Sequence, residues 1–401
     1  MRPSIMVIAA AVLPACLIVS APAAEGPVKI GVLNDQNSVY SVDGGLETVV
    51  AVRMAVEDAG PVLGHQVEVV AADHQNKPDI GLAIARQWYD VDGVDAIADV
   101  PNSAIGFGIQ NLSTDKKKVA LFIGAMSADI TGPKCSPYAV QWATDTWSIS
   151  HTLADAIMAR GGRDWFFIAA DYTFGKSLVR ETSEEVVAKG GRVLGAVYAP
   201  LGANDFSSFV LQAQTSRAQV IALANSSADT VNTLKQAIEF GVDREKQTFT
   251  AYVLFISHIK SMTLAVAHGL LLVNPFYWDL NDETRQFSKR FMERVGHPPD
   301  WDPVMNYSAV RHYLKAVQAV GTKDPDKVLA KMREMPVNDF ATKNGHLRAD
   351  GRLERDLYLV EVKKPEESTG PWDLYKVVAT IPAAKAFRPI DQGGCPLVNN
   401  H

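Results

Sequence analysis

Hydrophobic positions in this chain fall into short β-branched runs, each followed by a helix-length stretch whose apolar residues recur three and four apart. The cadence occurs twice, from Val28 to Gly124 and again from Trp165 to Val273. In the first half, Val28–Leu33, Val67–Ala72, Val94–Val100 and Val119–Ile123 are expected as strands, with helices over Gly45–Ala59, Asp79–Tyr89 and Ala104–Thr114. Ile80, Ile84, Trp88 and Val91 share one helical face, which assigns Trp88 to a core. The second half repeats the alternation. Its expected strands are Trp165–Ala170, Val193–Tyr198, Val220–Ala224, Phe249–Phe255 and Leu270–Val273, and its expected helices are Gly175–Lys189, Asp205–Thr215, Ala228–Phe240 and Ser257–Ala267. Asp205 and Ser226 are suitable N-caps, while Gly190-Gly191 and Gly241 are helix stops.

Alternation of this kind implies parallel sheets with right-handed crossovers. After Val273 the pattern turns helical, over Asp282–Val295, Val304–Val320 and Pro325–Met335, before one late strand at Leu357–Val362. A segment so poor in strands needs another sheet to cover, so the helices are expected on the first sheet and the late strand beside the second. The fold class expected is therefore α/β, with two Rossmann-like three-layer lobes joined by three hinge crossovers near Thr144–Thr146, Phe276–Trp278 and Leu347–Leu353. On this reading one lobe takes residues 24–144 and 277–350, and the other takes 145–276 and 351–401.

With 401 residues, 47% of them hydrophobic, the chain can fill two cores. Residues 1–23 read as a secretory signal peptide: Arg2, an apolar stretch from Ile5 to Val19, and small residues at Ala21-Pro22-Ala23. The stretch is shorter than the roughly 20 residues of a membrane span. Lipidation at Cys16, after Leu13-Pro14-Ala15, is the alternative. Cleavage leaves Cys135 and Cys395, which an oxidising compartment favours as a disulfide; two buried thiols are the other reading. A formal net charge of −6 and the lack of a basic stripe argue against nucleic acid, and Lys116-Lys117-Lys118 reads as a solvated loop.

Phosphate-loop, zinc-protease, nucleophile-elbow and CxxC motifs are all missing from the sequence. Gly106-Phe107-Gly108 reads as packing and Asp90-Val91-Asp92-Gly93 as a turn, and the nine histidines lack metal spacing. No cofactor, metal or enzymatic activity is expected. Ligands of open parallel sheets lie beyond the carboxyl ends of the strands. Tyr40 and Ser41 stand there after the first strand, Asn102 and Ser103 after the third, and Ala125, Met126 and Ser127 after the fourth. Small hydroxyl residues with open N–H groups at two adjacent strand ends make a carboxylate clamp, although Ser103 and Ser127 also read as helix caps. Tyr172, Phe174, Asn225 and Phe255 follow strands of the second half and would face that clamp.

KIGVL at the start of the first strand, DYTFG at 171–175, NDFSS at 204–208 and GHLRADGR at 345–352 together resemble type I periplasmic substrate-binding proteins of ABC transporters, in the leucine/isoleucine/valine branch. The resemblance implies a periplasmic monomer that closes two lobes on a small-molecule carboxylate and delivers it to an ABC permease of the inner membrane. It puts the ligand's carboxylate at Asn102–Ser103 and Ala125–Ser127 and flanks the ligand with Tyr172 and Tyr40. Amino-acid binders of this branch carry an acidic residue where Phe255 stands, so the ligand's ammonium would lack a partner. An aromatic or hydrophobic organic acid is therefore expected. Asp35 or Asp171 would restore the acid if either points inward, which keeps a branched-chain or other amino acid open. A ligand-sensing receptor domain is the further alternative.

Overall fold

The computed structural model describes residues 25–398, so the proposed signal peptide and Cys16 lie outside the described residues. The first sheet holds five parallel strands: β1 (Lys29–Asn34), β2 (Glu68–Asp73), β3 (Ala96–Asp99), β4 (Val119–Phe122) and β5 (Ala139–Gln141), in the order β2-β1-β3-β4-β5. Strands β3, β4 and β5 are buried along their whole length, as continuous apolar runs covered by helices on both faces must be. The second lobe opens with β6 (Asp164–Ala170), β7 (Arg192–Ala199), β8 (Val220–Ser226) and β9 (Thr248–Val253), parallel in the order β7-β6-β8-β9. Beside them stands an antiparallel trio of β10 (Leu271–Asn274) and two later strands; the short ribbon of β11 (His346–Leu347) and β12 (Leu353–Glu354) precedes those two, which are β13 (Leu357–Val362) and β14 (Tyr375–Ile381).

Helix Trp301–Val320 packs against helix Gly45–Ala59 and against β3 and β4, so the late helical segment does cover the first sheet. The chain thus passes between lobes after β5, after β10 and between β12 and β13. Guanidinium groups on either side of β12, where the third passage begins, tie all three together. Arg352, 1% exposed, donates to the carbonyl of Ala143 and pairs with Asp145 at 3.3 Å, both in the first passage, and donates to Gln141 Oε1 at the end of β5 at 3.0 Å. Arg355 donates to the carbonyl of Pro275 in the second passage at 2.5 Å. Gly351 lies against β5 at a φ of +88°, and a Cβ there would collide with the Ala139 carbonyl, which explains the glycine in GHLRADGR.

Several expected elements shift for local reasons. Trp88 is buried as expected, but Val91 is 70% exposed, because a π-helical turn over Trp88–Asp92 rotates it off the apolar face. The expected helix Ser257–Ala267 breaks at Thr263, whose φ is +70°, into Ile256–Met262 and Leu264–Ala267. Helix Thr146–Ala159 and strands β5 and β14 belong to no expected element; the two strands are short or alternate weakly. Beyond β14 the chain leaves the second sheet. Phe387 stacks under the Arg352 guanidinium, 4.6 Å from ring centre to Cζ, and Cys395 is disulfide-bonded to Cys135, between β4 and β5 of the first lobe.

Candidate functional site

The carboxyl ends of both sheets face one another, and the space between them is lined from both sides. Asp35, buried just after β1, organises the loop that supplies the first side. Its carboxylate accepts from the backbone N–H groups of Ser38 at 2.8 Å and Tyr40 at 2.9 Å and from Ser38 Oγ at 2.6 Å, turning the chain so that Tyr40 and Asp43 border the cavity. Asp302 and Trp301 reach the same space from the start of helix Trp301–Val320. Asp99 and Val100, at the end of β3, have φ of +80° and +62°. A β-branched residue there is strained, and the strain sits where the chain turns into Pro101 on the cavity wall.

From the second lobe, Tyr172 and Phe174 open helix Thr173–Ala188, and Phe255 precedes helix Ile256–Met262. Gly175 brings the first of these helices hard against β6, because a Cβ would collide with the Ala170 carbonyl. Rings from the two lobes meet directly: Phe255 stacks on Trp301 with centroids 4.9 Å apart, and the hydroxyls of Tyr40 and Tyr172 lie 2.6 Å apart. Polar bridges flank the rings. Ser227 Oγ donates to Asp43 at 2.6 Å, while Asp300 accepts from the Ile256 N–H at 2.6 Å and from Ser257 Oγ at 2.7 Å. The lobes are pressed together, leaving a cavity of about 20 Å³, about the room of one water. A ring-bearing solute needs the lobes to part, the hinge motion that crossovers of this kind permit.

The electrostatics of the cavity are one-sided. No Lys, Arg or His is among its lining residues. Burial holds Asp43 well above the usual carboxylate range, with the Ser227 hydrogen bond pulling the other way. Burial, then the nearby Asp99, does the same to Asp302. Asp99 is pushed up to about 6 and Asp300 to about 7, again by burial first. His258, 3.7 Å from Asp43, is driven by burial down to about 4 and stays neutral near pH 7.

Of the residues singled out in the sequence, Tyr40, Met126, Tyr172, Phe174 and Phe255 line this cavity. Ser41, Asn102, Ser103, Ala125, Ser127 and Asn225 stand at the strand ends but not on its wall. Asn102 caps the helix that starts at Ser103, Ser103 Oγ accepts from the Ser127 N–H at 3.1 Å, Ser127 caps a 3₁₀ turn, and Asn225 bonds Thr230 and Thr233. Asp35 is spent on its own loop, and Asp171 is exposed and paired with Lys176 at 2.9 Å. Asp43, Ser226, Trp301 and Asp302 line the cavity without having been foreseen. Asp43 lies three residues past Tyr40, and the Asp300-Trp301-Asp302 cluster marks a helix start that the returning chain carries to the cleft.

The sequence pattern of the periplasmic binding proteins matches residues 27–370. The chain belongs to this family. A periplasmic binding protein of Burkholderia mallei superposes with a TM-score of 0.90 at 43% identity, covering 92% of this chain and 99% of that one. A branched-chain amino acid ABC transporter periplasmic ligand-binding protein of Burkholderia xenovorans LB400 gives 0.82 and 42%, with the same coverage. Leu/Ile/Val-binding protein homolog 6 of Brucella suis is 23% identical over 85% of this chain and 89% of its own length. A Rhodopseudomonas palustris ABC-transporter solute-binding protein in complex with benzoate, 17% identical, shares the fold with a TM-score of 0.82 over 93% of this chain and 100% of that one. The fold is thus that of type I periplasmic binding proteins, which are non-enzymatic ligand-binding components of ABC transporters. Among the described residues no helix is long and apolar enough to cross a membrane.

Proposed function

We propose that this periplasmic binding protein captures a small organic solute with a flat apolar body between its lobes and, as a monomer, delivers it to an ABC permease of the inner membrane. One observation carries the reading: rings from both lobes, Tyr40 and Trp301 against Tyr172, Phe174 and Phe255, converge on one cavity at the carboxyl ends of the strands. Contacts from both lobes are what a ligand needs in order to favour the closed state. Native mass spectrometry of the protein incubated with a bacterial metabolite extract tests this. A retained small molecule, lost in Trp301→Ala or Phe174→Ala, is the expected result; an unliganded spectrum throughout would remove the reading.

The aromatic or hydrophobic organic acid expected from the sequence is the second reading, and the benzoate complex of the Rhodopseudomonas palustris neighbour favours it. An amino acid stays in play through the Burkholderia xenovorans relative. The apolar body is common to all of these, so the ligand's charge is what separates them.

A further inference from the structure

Resting on the cleft as the solute site, we infer that the solute is an organic cation: an ammonium group carried on an apolar body, its charge received by Asp43 and Asp302 inside a cage of rings. Both residues line the cavity, and neither carboxyl has a cationic side chain bonded to it. The partners of Asp43 are the Ser227 hydroxyl, at 2.6 and 2.5 Å, and neutral His258 at 3.7 Å. Those of Asp302 are the Thr48 hydroxyl at 3.0 Å, the Asn306 amide at 3.1 Å and the neighbouring Asp99 carboxyl. The other titratable groups packed around the pair are Asp35, Asp99 and Asp300, with Tyr40 and Tyr172, so every neighbour is acidic or neutral.

Carboxyls that deep are held in the neutral form unless a counter-charge arrives. An ammonium group supplies it, and the faces of Trp301, Tyr40, Tyr172, Phe174 and Phe255 add the attraction of ring quadrupoles for a cation. A carboxylate would meet two acids instead. Backbone donors that would have to receive it are already engaged: the Ala104 and Ile105 N–H groups bond Asn102 Oδ1, the Ser127 N–H bonds Ser103, and the Ala128 N–H bonds Thr146 at 2.9 Å. The five rings explain why an aromatic ligand is suggested by the lining, and the two acids decide its sign.

Calorimetric titration and thermal melting with five probes test the assignment: benzyltrimethylammonium and 2-phenylethylammonium against benzoate, 4-hydroxybenzoate and leucine. At least one ammonium probe should bind and raise the melting midpoint. Its binding should release protons, seen as a heat that varies with the ionisation enthalpy of the buffer, because neutral carboxyls ionise to meet it. Affinity should fall about tenfold or more in Asp43→Asn and Asp302→Asn. The proton count needs only the natural protein, so it stands even if a variant folds poorly. Silence towards both ammonium probes, or proton uptake on binding, overturns the inference. Benzoate or leucine binding in their absence would do so while leaving the solute-receptor reading intact.

Discussion

Arg352 and Arg355 at the hinge are as deeply buried as Asp43 and Asp302 in the cleft, yet the two sets of charges are housed differently. The Arg352 guanidinium faces the Asp145 carboxylate, a backbone carbonyl and a glutamine oxygen, and although burial lowers it to about 10, it remains charged at neutral pH. The cleft carboxyls meet hydroxyls, an amide, a neutral imidazole and another acid, Asp99, and no cation. A buried charge completed by its own chain is part of the framework, and one left incomplete is open to a partner from outside. Both arrangements cost desolvation, but only the hinge recovers it during folding.

The contrast is sharpest where a hinge partner is removed. Arg352→Met should strand Asp145 and the Ala143 carbonyl in the interior and cost about 3–5 kcal/mol in denaturant unfolding. A loss below about 1 kcal/mol would mean that the hinge pair contributes no more than an exposed one. Next in size is a pH effect. Asp300 is pushed up to about 7 against an ordinary carboxyl near 4, so the folded state holds its proton more tightly than the unfolded chain. Its contribution is full below about pH 4 and is lost as pH rises through about 7; Asp99 and Asp229, each near 6, act in the same direction. Melting midpoints should therefore be higher at pH 5.5 than at pH 8, and Asp300→Asn should flatten that slope; an unchanged slope would exclude Asp300 as its source.

Tyr172→Phe removes the hydroxyl that meets Tyr40 across the cleft and should cost about 1 kcal/mol. The loss should vanish in a Tyr40→Phe background if the pair acts as a unit. Smallest of all should be Asp302→Asn, which keeps an oxygen for Thr48 and Asn306 and removes an uncompensated acid. Stability within about 0.5 kcal/mol of the natural protein, or above it, is expected. A cost near that of Arg352→Met would erase the distinction between hinge and cleft.

Elements with strong period were legible in the sequence: helix Gly45–Ala59 begins and ends where its pattern does, and the buried strands fall within a residue or two of their apolar runs. What escaped had no local signature. Strand β5 is three residues long, and in β14 the alternation is broken by Val377 and Val378, adjacent and both exposed, so neither carries a run that stands out. In the cleft, Tyr40, Tyr172, Phe174 and Phe255 were visible because each follows a strand. Trp301 and Asp302 were hidden by distance: they are the start of a helix some 200 residues beyond β3, and only the second passage between lobes brings them to it. The serines at 103 and 127 read alike as caps and as ligand donors; Ser127 does cap a turn, while Ser103 accepts the Ser127 N–H and so joins two strand ends.

The Cys135–Cys395 bond spans 260 residues and encloses all three passages between the lobes. The chain from 135 to 395 is therefore a ring. A protease that cuts once within any passage opens the ring without producing two fragments, and the nicked protein should migrate as a single species until a reductant is added. Damage in the exposed periplasmic environment would then have to strike twice before any fragment could leave.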